Sequence, residues 1–231
     1  FASPQVFLNL WIDNAFLLIT SIGMTFVILS GGIDLSVGAV IAFTTVFSAF
    51  LLQDVGLPPA AVIPIVLTFG VTLGAVMGAI IHFFKVQPFI VTLAGMFFAR
   101  GMCFVISTDA ITIADPFYRA VALYRIPIFD KTFISINVVI VLVVLAAAIY
   151  LAHFTRFGRT VYAIGGNEQS ALLMGLPVAR TKVLVYTLNG FCSALAGVVF
   201  SIYMLSGYGL YTYGLELEAI ASVVIGGTML T

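Results

Sequence analysis

Between positions 60 and 84 the chain runs for 25 residues without an aspartate, glutamate, lysine or arginine. That exceeds the ~20 apolar residues that carry a helix across the hydrocarbon core of a bilayer. Further apolar runs stand at 15–30, 35–52, 89–107, 132–152 and 183–205, and from 219 onward, with Arg100 the one charged residue inside them. In lipid each run must satisfy its own backbone N–H and C=O groups, which a helix does and an isolated strand does not. The sequence therefore predicts an all-α, polytopic transmembrane helix bundle with about seven membrane segments, some broken by Gly-Gly pairs. Composition agrees: 8% of residues are charged, against roughly 25% in a soluble domain.

The few charges orient the bundle. The longest polar interval, FTRFGRTVYAIGGNEQSALLMGLPVARTK at 154–182, carries Arg156, Arg159, Arg180 and Lys182 against one acid, Glu168. Short basic loops stay on the cytoplasmic side, and the turn holding Lys85, Gln87 and Pro88 follows the same rule. The 53–59 connection, with Asp54, Pro58 and Pro59, has no positive charge and is expected outside. In the 108–131 loop Asp109, Asp115 and Asp130 balance Arg119, Arg125 and Lys131, which places it in the periplasm. The aromatic and acidic connection at 207–218, with Tyr208, Tyr211, Tyr213, Glu216 and Glu218, is also expected outside. Trp11 suits an interfacial anchor, and Asp13 and Asn14 mark the water side.

Within 154–182, Gly158, Gly165-Gly166 and the Gly175-Leu-Pro177 turn punctuate the chain. Asn167 is placed to cap a short helix from Glu168 to Met174, with the acid in the first turn where the helix dipole favours it. An exposed apolar side of Ala171, Leu172 and Met174 fits a docking surface, and it fits an ordinary connecting loop as well. Elsewhere Gly70, Gly74 and Gly78 at four-residue spacing, and Ser193, Gly197 and Ser201, give bare helix faces for close packing. Gly31-Gly32 and Asp34 interrupt the first apolar run where transporters unwind helices. VILSGGIDL (27–35) and VVIGGTML (223–230) share a pattern that reads either as a weak internal repeat or as plain glycine enrichment.

Several chemistries find no support. Lys85, Lys131 and Lys182 lack the glycine loop of a phosphate cradle, and no Gly-x-Ser-x-Gly nucleophile motif occurs. His82 and His153 are too far apart in sequence to build a metal site. Cys103 and Cys192 lie in apolar segments and read as packing residues. Net charge is zero and no basic stripe follows a phosphate backbone, so nucleic acid is excluded as a partner; no cofactor is expected. What remains are polar groups inside apolar helices. Asp34 and Arg100 would each cost about 2.5–3.5 kcal/mol at a helix centre, so such residues face a cavity or a partner; for Asp34 the loop alternation fits the cytoplasmic interface, where it costs little, and the glycine break fits a deeper place. A neutral, hydroxyl-rich substrate would use Thr20, Thr25, Thr92, Tyr186, Asn189, Ser201 and Tyr203, although helix-packing hydrogen bonds account for each as well. Asp34, Thr92, Arg100, Asn189 and Tyr203 are the translocation-pathway candidates.

GMTFVILSGGIDLSVGAVIAF (23–43), FIVTLAGMFFARG (89–101), TRFGRTVYAIGGNEQSALLMGL (155–176) and ELEAIASVVIGGT (216–228) together resemble the ribose-type permease subunits of bacterial ABC sugar importers, closest to a galactofuranose-type permease. The resemblance implies a single permease domain over 1–231, continuing into further helices at both ends. It implies a non-enzymatic inner-membrane subunit that pairs with itself or a sibling permease. Such a subunit takes a monosaccharide from a periplasmic sugar-binding protein and is driven by a cytoplasmic ATP-binding subunit. It also implies that Gly165, Gly166, Asn167, Glu168, Ser170, Ala171, Leu172 and Gly175 form the ATPase-coupling segment, which favours the docking reading of that stretch. The rival expectation is a self-contained channel or ion-coupled carrier.

Overall fold

The computed structural model describes residues 4–129 and 132–228. Asp130 and Lys131 of the expected outer loop, and Met229 and Leu230 of the second glycine motif, lie outside the described residues. The chain forms α1 (Pro4–Asp13), α2 (Ala15–Leu29), α3 (Val37–Gln53), α4 (Pro59–Phe83), α5 (Pro88–Ile106), β1 (Ile111–Thr112), α6 (Pro116–Leu123), β2 (Arg125–Phe129), β3 (Thr132–Ser135), α7 (Ile136–Phe154), α8 (Arg156–Gly166), α9 (Glu168–Leu173), α10 (Val178–Met204), β4 (Ser206–Gly207) and α11 (Leu215–Ile225). The strands are short antiparallel pairs, β1 with β4 and β2 with β3. They tie loops together and form no layer of their own.

Four helices, α4, α5, α7 and α10, are long and apolar enough to cross a membrane. A fifth span exists if α1 and α2, which meet at 62°, are taken as one. The expected count was about seven. The shortfall is α3, with 17 residues, and α11, with 11, both below the ~20 needed for a full crossing.

Helix α10 is the central post. In its most apolar window 67% of residues are buried, against 17% for α7, which faces outward. The α4–α10 seam is built by the predicted bare face. A Cβ on Gly70 would lie 2.5 Å from the Gly190 carbonyl, one on Gly78 2.9 Å from Val183 Cα, and one on Gly74 would run into the Tyr186 carbonyl. On another side, a Cβ on Gly197 would stand 2.5 Å from Thr44 Cβ of α3. Packing in lipid rests on such close approach, because apolar side chains gain little by leaving one oil for another.

The bundle has two distinct ends. At one, the 85–88 turn meets α9 and the start of α10 around a cavity lined by Lys85, Gln87, Glu168, Leu172 and Lys182, so the two basic segments share a face as their charge implied. At the other, β1 pairs with β4, Gln5 exchanges two hydrogen bonds with the Phe133 backbone, and α6 leans inward. Asp115 caps α6 through the amides of Phe117 and Tyr118, sending the fully buried Tyr118 ring among Leu52, Val62, Val66 and Ile202. Burial pushes the Tyr118 hydroxyl above its ordinary value.

The two glycine motifs end their helices alike. The Gly31 amide donates to Ile28 and that of Gly32 to Val27, while the Gly227 amide donates to Val224 and that of Thr228 to Val223. Gly31 and Gly227 hold φ of +74° and +99°, a conformation glycine adopts without a Cβ penalty. Gly175 ends α9 in the same way. The shared cap is therefore a general helix stop and by itself is no evidence of a repeat.

Candidate functional site

On the basic end, α8 and α9 form a helical elbow. Thr155 caps α8, its hydroxyl accepting from the Gly158 amide at 3.2 Å. Gly158 and Gly165-Gly166, expected to punctuate the chain, instead all lie inside α8. Gly158 and Gly165 are there for contact, because a Cβ on either would meet the Ala152 or the Leu29 carbonyl. Gly166 faces open space. Asn167 caps α9 as expected, its Oδ1 accepting from the Ser170 amide at 2.7 Å, and Gly175 at φ +75° closes it.

The exposed apolar side differs from expectation by one residue. Ala171 is buried against Ile164 and Val178, whereas Leu172, Leu173 and Met174 project at 62%, 88% and 67% exposure. In a helix of six residues one position in four must face the floor, and the smallest side chain allows the closest seat. Glu168 pairs with Lys182 at 2.6 Å, which pins the start of α9 to α10. Half-exposed pairs contribute little stability, so the pair serves chiefly to fix orientation. Through Gly165 the elbow touches Leu29, the last residue of α2, directly before the Gly31-Gly32 break.

That break leads to the second group of candidates. Residues 32–36 have no regular structure and bring Asp34 beneath α10. Asp34 is 1% exposed. Its Oδ1 accepts from the amide and hydroxyl of Ser36 at 2.8 and 2.6 Å, and its Oδ2 accepts from Asn189 Nδ2 at 2.8 Å. These three bonds compensate the desolvation of a carboxyl group that has no ion-pair partner among the described residues. Asn189 Oδ1 has no hydrogen bond and faces Gly23, where a Cβ would lie 2.6 Å away. Above Gly32 the Tyr186 hydroxyl points toward the Ile33 carbonyl at 3.5 Å. Asp34 and Asn189 are thus brought together, with Ser36 as a hydrogen-bond partner and Gly23 as a close contact of Asn189, neither of them marked in the sequence.

The other pathway candidates stand apart. Thr92 is buried and donates to the Pro88 carbonyl of its own helix, and Thr20, Thr25 and Ser201 likewise bond within their helices. Tyr203 sits at the opposite end, its hydroxyl donating to Asp13 at 3.1 Å. Among the described residues no group of three metal-ligating side chains occurs.

Arg100 donates from Nη1 to the carbonyls of Gly209 and Tyr211 at 2.6 and 2.8 Å, with its guanidinium 5.5 Å from the Tyr213 ring. The 207–218 connection, expected as an external loop, is held inward: Thr212 donates to the Gly38 carbonyl at 2.7 Å, at the start of α3. Leu205, just before this segment, and Thr212 within it hold φ of +50° and +56°, a strained region for residues with a Cβ. Arg100 is the clamp that keeps it there. Arg100→Ala leaves two carbonyls without a donor and is expected to lower stability by about 3 kcal/mol, read as a fall in the melting temperature of the detergent-solubilised protein. Arg100→Lys keeps the charge and loses the planar guanidinium that reaches both carbonyls and faces the Tyr213 ring, and recovers less than half of that loss.

Comparison with known proteins matches residues 6–230 to the family described as "Branched-chain amino acid transport system / permease component". The chain is similar to the inner membrane ABC transporter permease protein YjfF of Escherichia coli, 51% identical over all of this chain and 70% of the relative. It is similar to the fructose import permease protein FruG of Bifidobacterium longum, 43% identical over 96% of this chain and 67% of the relative. It is also similar to the ribose import permease protein RbsC of Haemophilus influenzae, 40% identical over all of this chain and 71% of the relative. No solved structure matches.

Proposed function

Because the chain belongs to this permease family, on the branch that includes the ribose-type sugar permeases, we propose that it is the membrane-spanning subunit of an ATP-driven monosaccharide importer. It is an inner-membrane protein and a permease component, with ATP hydrolysis the task of a separate subunit. The observation that carries the proposal is identity of 40–51% over 96–100% of this chain to permeases, two of them named for sugar import.

In this reading the basic end faces the cytoplasm and the 108–131 loop faces the periplasm. The chain acts as one permease domain with seven membrane segments, five spans plus the partial crossings α3 and α11. A cytoplasmic ATP-binding subunit receives α9 in a cleft, with Gly165, Gly166, Asn167, Glu168, Ser170, Ala171, Leu172 and Gly175 setting its shape and seat. A periplasmic binding protein delivers sugar to the other end, and a second permease copy or sibling completes the pathway. Asp34 and Asn189, buried and bonded to each other, brace the break beside the pathway. Closure of the ATPase moves the elbow as a rigid lever, and the bundle rocks between outward and inward access. A galactofuranose-like sugar is the first substrate to test, with ribose, fructose and allose beside it.

The test is transport in proteoliposomes containing the permease with its ATP-binding subunit and binding protein, against the permease alone. Uptake of one of these sugars that requires ATP and all partners is the expected result. Uptake by the permease alone would replace this reading with a self-contained channel or carrier.

A further inference from the structure

The cavity between the α2–α3 break and the α4–α5 turn carries an inference about what the pathway binds. We propose that Gly31, Gly32 and Ile33, with Gln87 and Phe89, form a binding site for a neutral polyhydroxylated ring, on the half of the pathway nearest the basic end. The proposal rests on the transport reading above and names residues that reading does not use.

Four observations converge. The cavity measures about 280 Å³, just under the ~300 Å³ at which sites for drug-sized ligands begin, a size for one small ring. Its wall is unusual backbone. Of the residues that line it, the Ile33 amide and the Gly31 and Gly32 carbonyls have no backbone partner among the described residues. Irregular backbone at membrane depth persists only where it is buried in protein or lines a water-filled cavity. Such a row of free donors and acceptors complements a row of hydroxyls.

The third observation is charge. None of the residues lining the cavity is acidic or basic, and both carboxylate oxygens of Asp34 are already engaged by Ser36 and Asn189. A zwitterionic amino acid would leave its ammonium and carboxylate unpaired here, whereas a sugar asks only for amides, carbonyls and an apolar surface. Gln87 and the half-exposed Phe89 ring supply an amide and that surface. Fourth is depth: Asp34 reaches Asn189, 11 residues into α10, or roughly 16 Å along its axis. The break thus extends from the basic end to about the middle of the bundle.

The experiment uses the permease with its ATP-binding subunit and binding protein in proteoliposomes. Phe89→Cys is labelled with a bulky maleimide; the native Cys103 and Cys192 are buried. The probes are D-ribose, D-fructose and L-leucine. A transported sugar is expected to slow labelling at least ~fivefold, and leucine to leave it unchanged. In parallel, Gln87→Ala is expected to raise the KM for that sugar at least ~tenfold, while Gly101→Ala, on α5 with open space around it, leaves uptake unchanged. ATP-driven uptake with no protection and no KM change sinks the site and leaves the permease reading standing. Protection by leucine overturns the polyol assignment, and absence of ATP-driven uptake of any sugar removes both.

Discussion

Gly74→Leu is expected to eliminate most of the folded protein. The α4–α10 seam has backbone against backbone at this point, because a Cβ on Gly74 would meet the Tyr186 carbonyl carbon at 3.0 Å and Thr187 Cα at 3.2 Å. No flexible side-chain tip is available to give way. Overpacking typically costs 1–3 kcal/mol when side chains can shift, so about 3 kcal/mol or more is expected here, a large share of a membrane bundle's margin. Separation of α4 from α10 would also disturb Tyr186 and Asn189, which face the Gly31-Gly32 break from α10. Gly101→Ala is the control, as it faces open space and should match the parent. Yield of monodisperse protein in detergent and its melting temperature decide the matter, and a Gly74→Leu protein of unchanged stability would contradict the packing described.

The second large effect is expected on α9 and in activity alone. Replacing Leu172, Leu173 and Met174 together by serine should lower ATP-driven uptake at least tenfold, about 1.4 kcal/mol in coupling, with insertion and melting temperature unchanged. These side chains project outward and hold nothing of this chain together, so a stability loss is not anticipated. Gly175→Ala acts on the same lever differently. At φ +75° with no atom near a new Cβ it strains the cap by roughly 1–2 kcal/mol and lets the end of α9 swing. Glu168→Gln frees its start from Lys182. Both should uncouple ATP hydrolysis from uptake, and unchanged uptake in both variants would count against the lever.

Much of the bundle was legible because membrane helices announce themselves one at a time: a run of apolar residues bounded by charge or proline must satisfy its own backbone. Helices α4 and α5 begin within one residue of the positions read from the sequence. The Gly70, Gly74 and Gly78 face was visible for the same reason, since spacing alone defines it. What escaped were features set by tertiary contact. Gly165 looked like a breaker and is a packing residue, because only the fold reveals the Leu29 carbonyl against it. The 207–218 segment looked external by composition and is drawn inward by Arg100, a residue 109 positions away from Gly209. Of the pathway candidates, Asp34 and Asn189 meet across 155 positions; charge and the glycine break set Asp34 apart, but nothing local to Asn189 distinguished it from Thr92 or Ser201, which bond to their own helices.

The central claim is that α9 presents a cytoplasmic surface to a separate motor, and its sidedness can be read directly. Leu173→Cys, the most exposed position of α9, and Leu123→Cys on α6, at 88% and 74% exposure, are probed with a membrane-impermeant maleimide in right-side-out and inverted vesicles. The account predicts that position 173 reacts only in inverted vesicles, position 123 only in right-side-out ones, and that the ATP-binding subunit protects 173 when bound. Reaction of position 173 from outside, or indifference to the ATP-binding subunit, would contradict it.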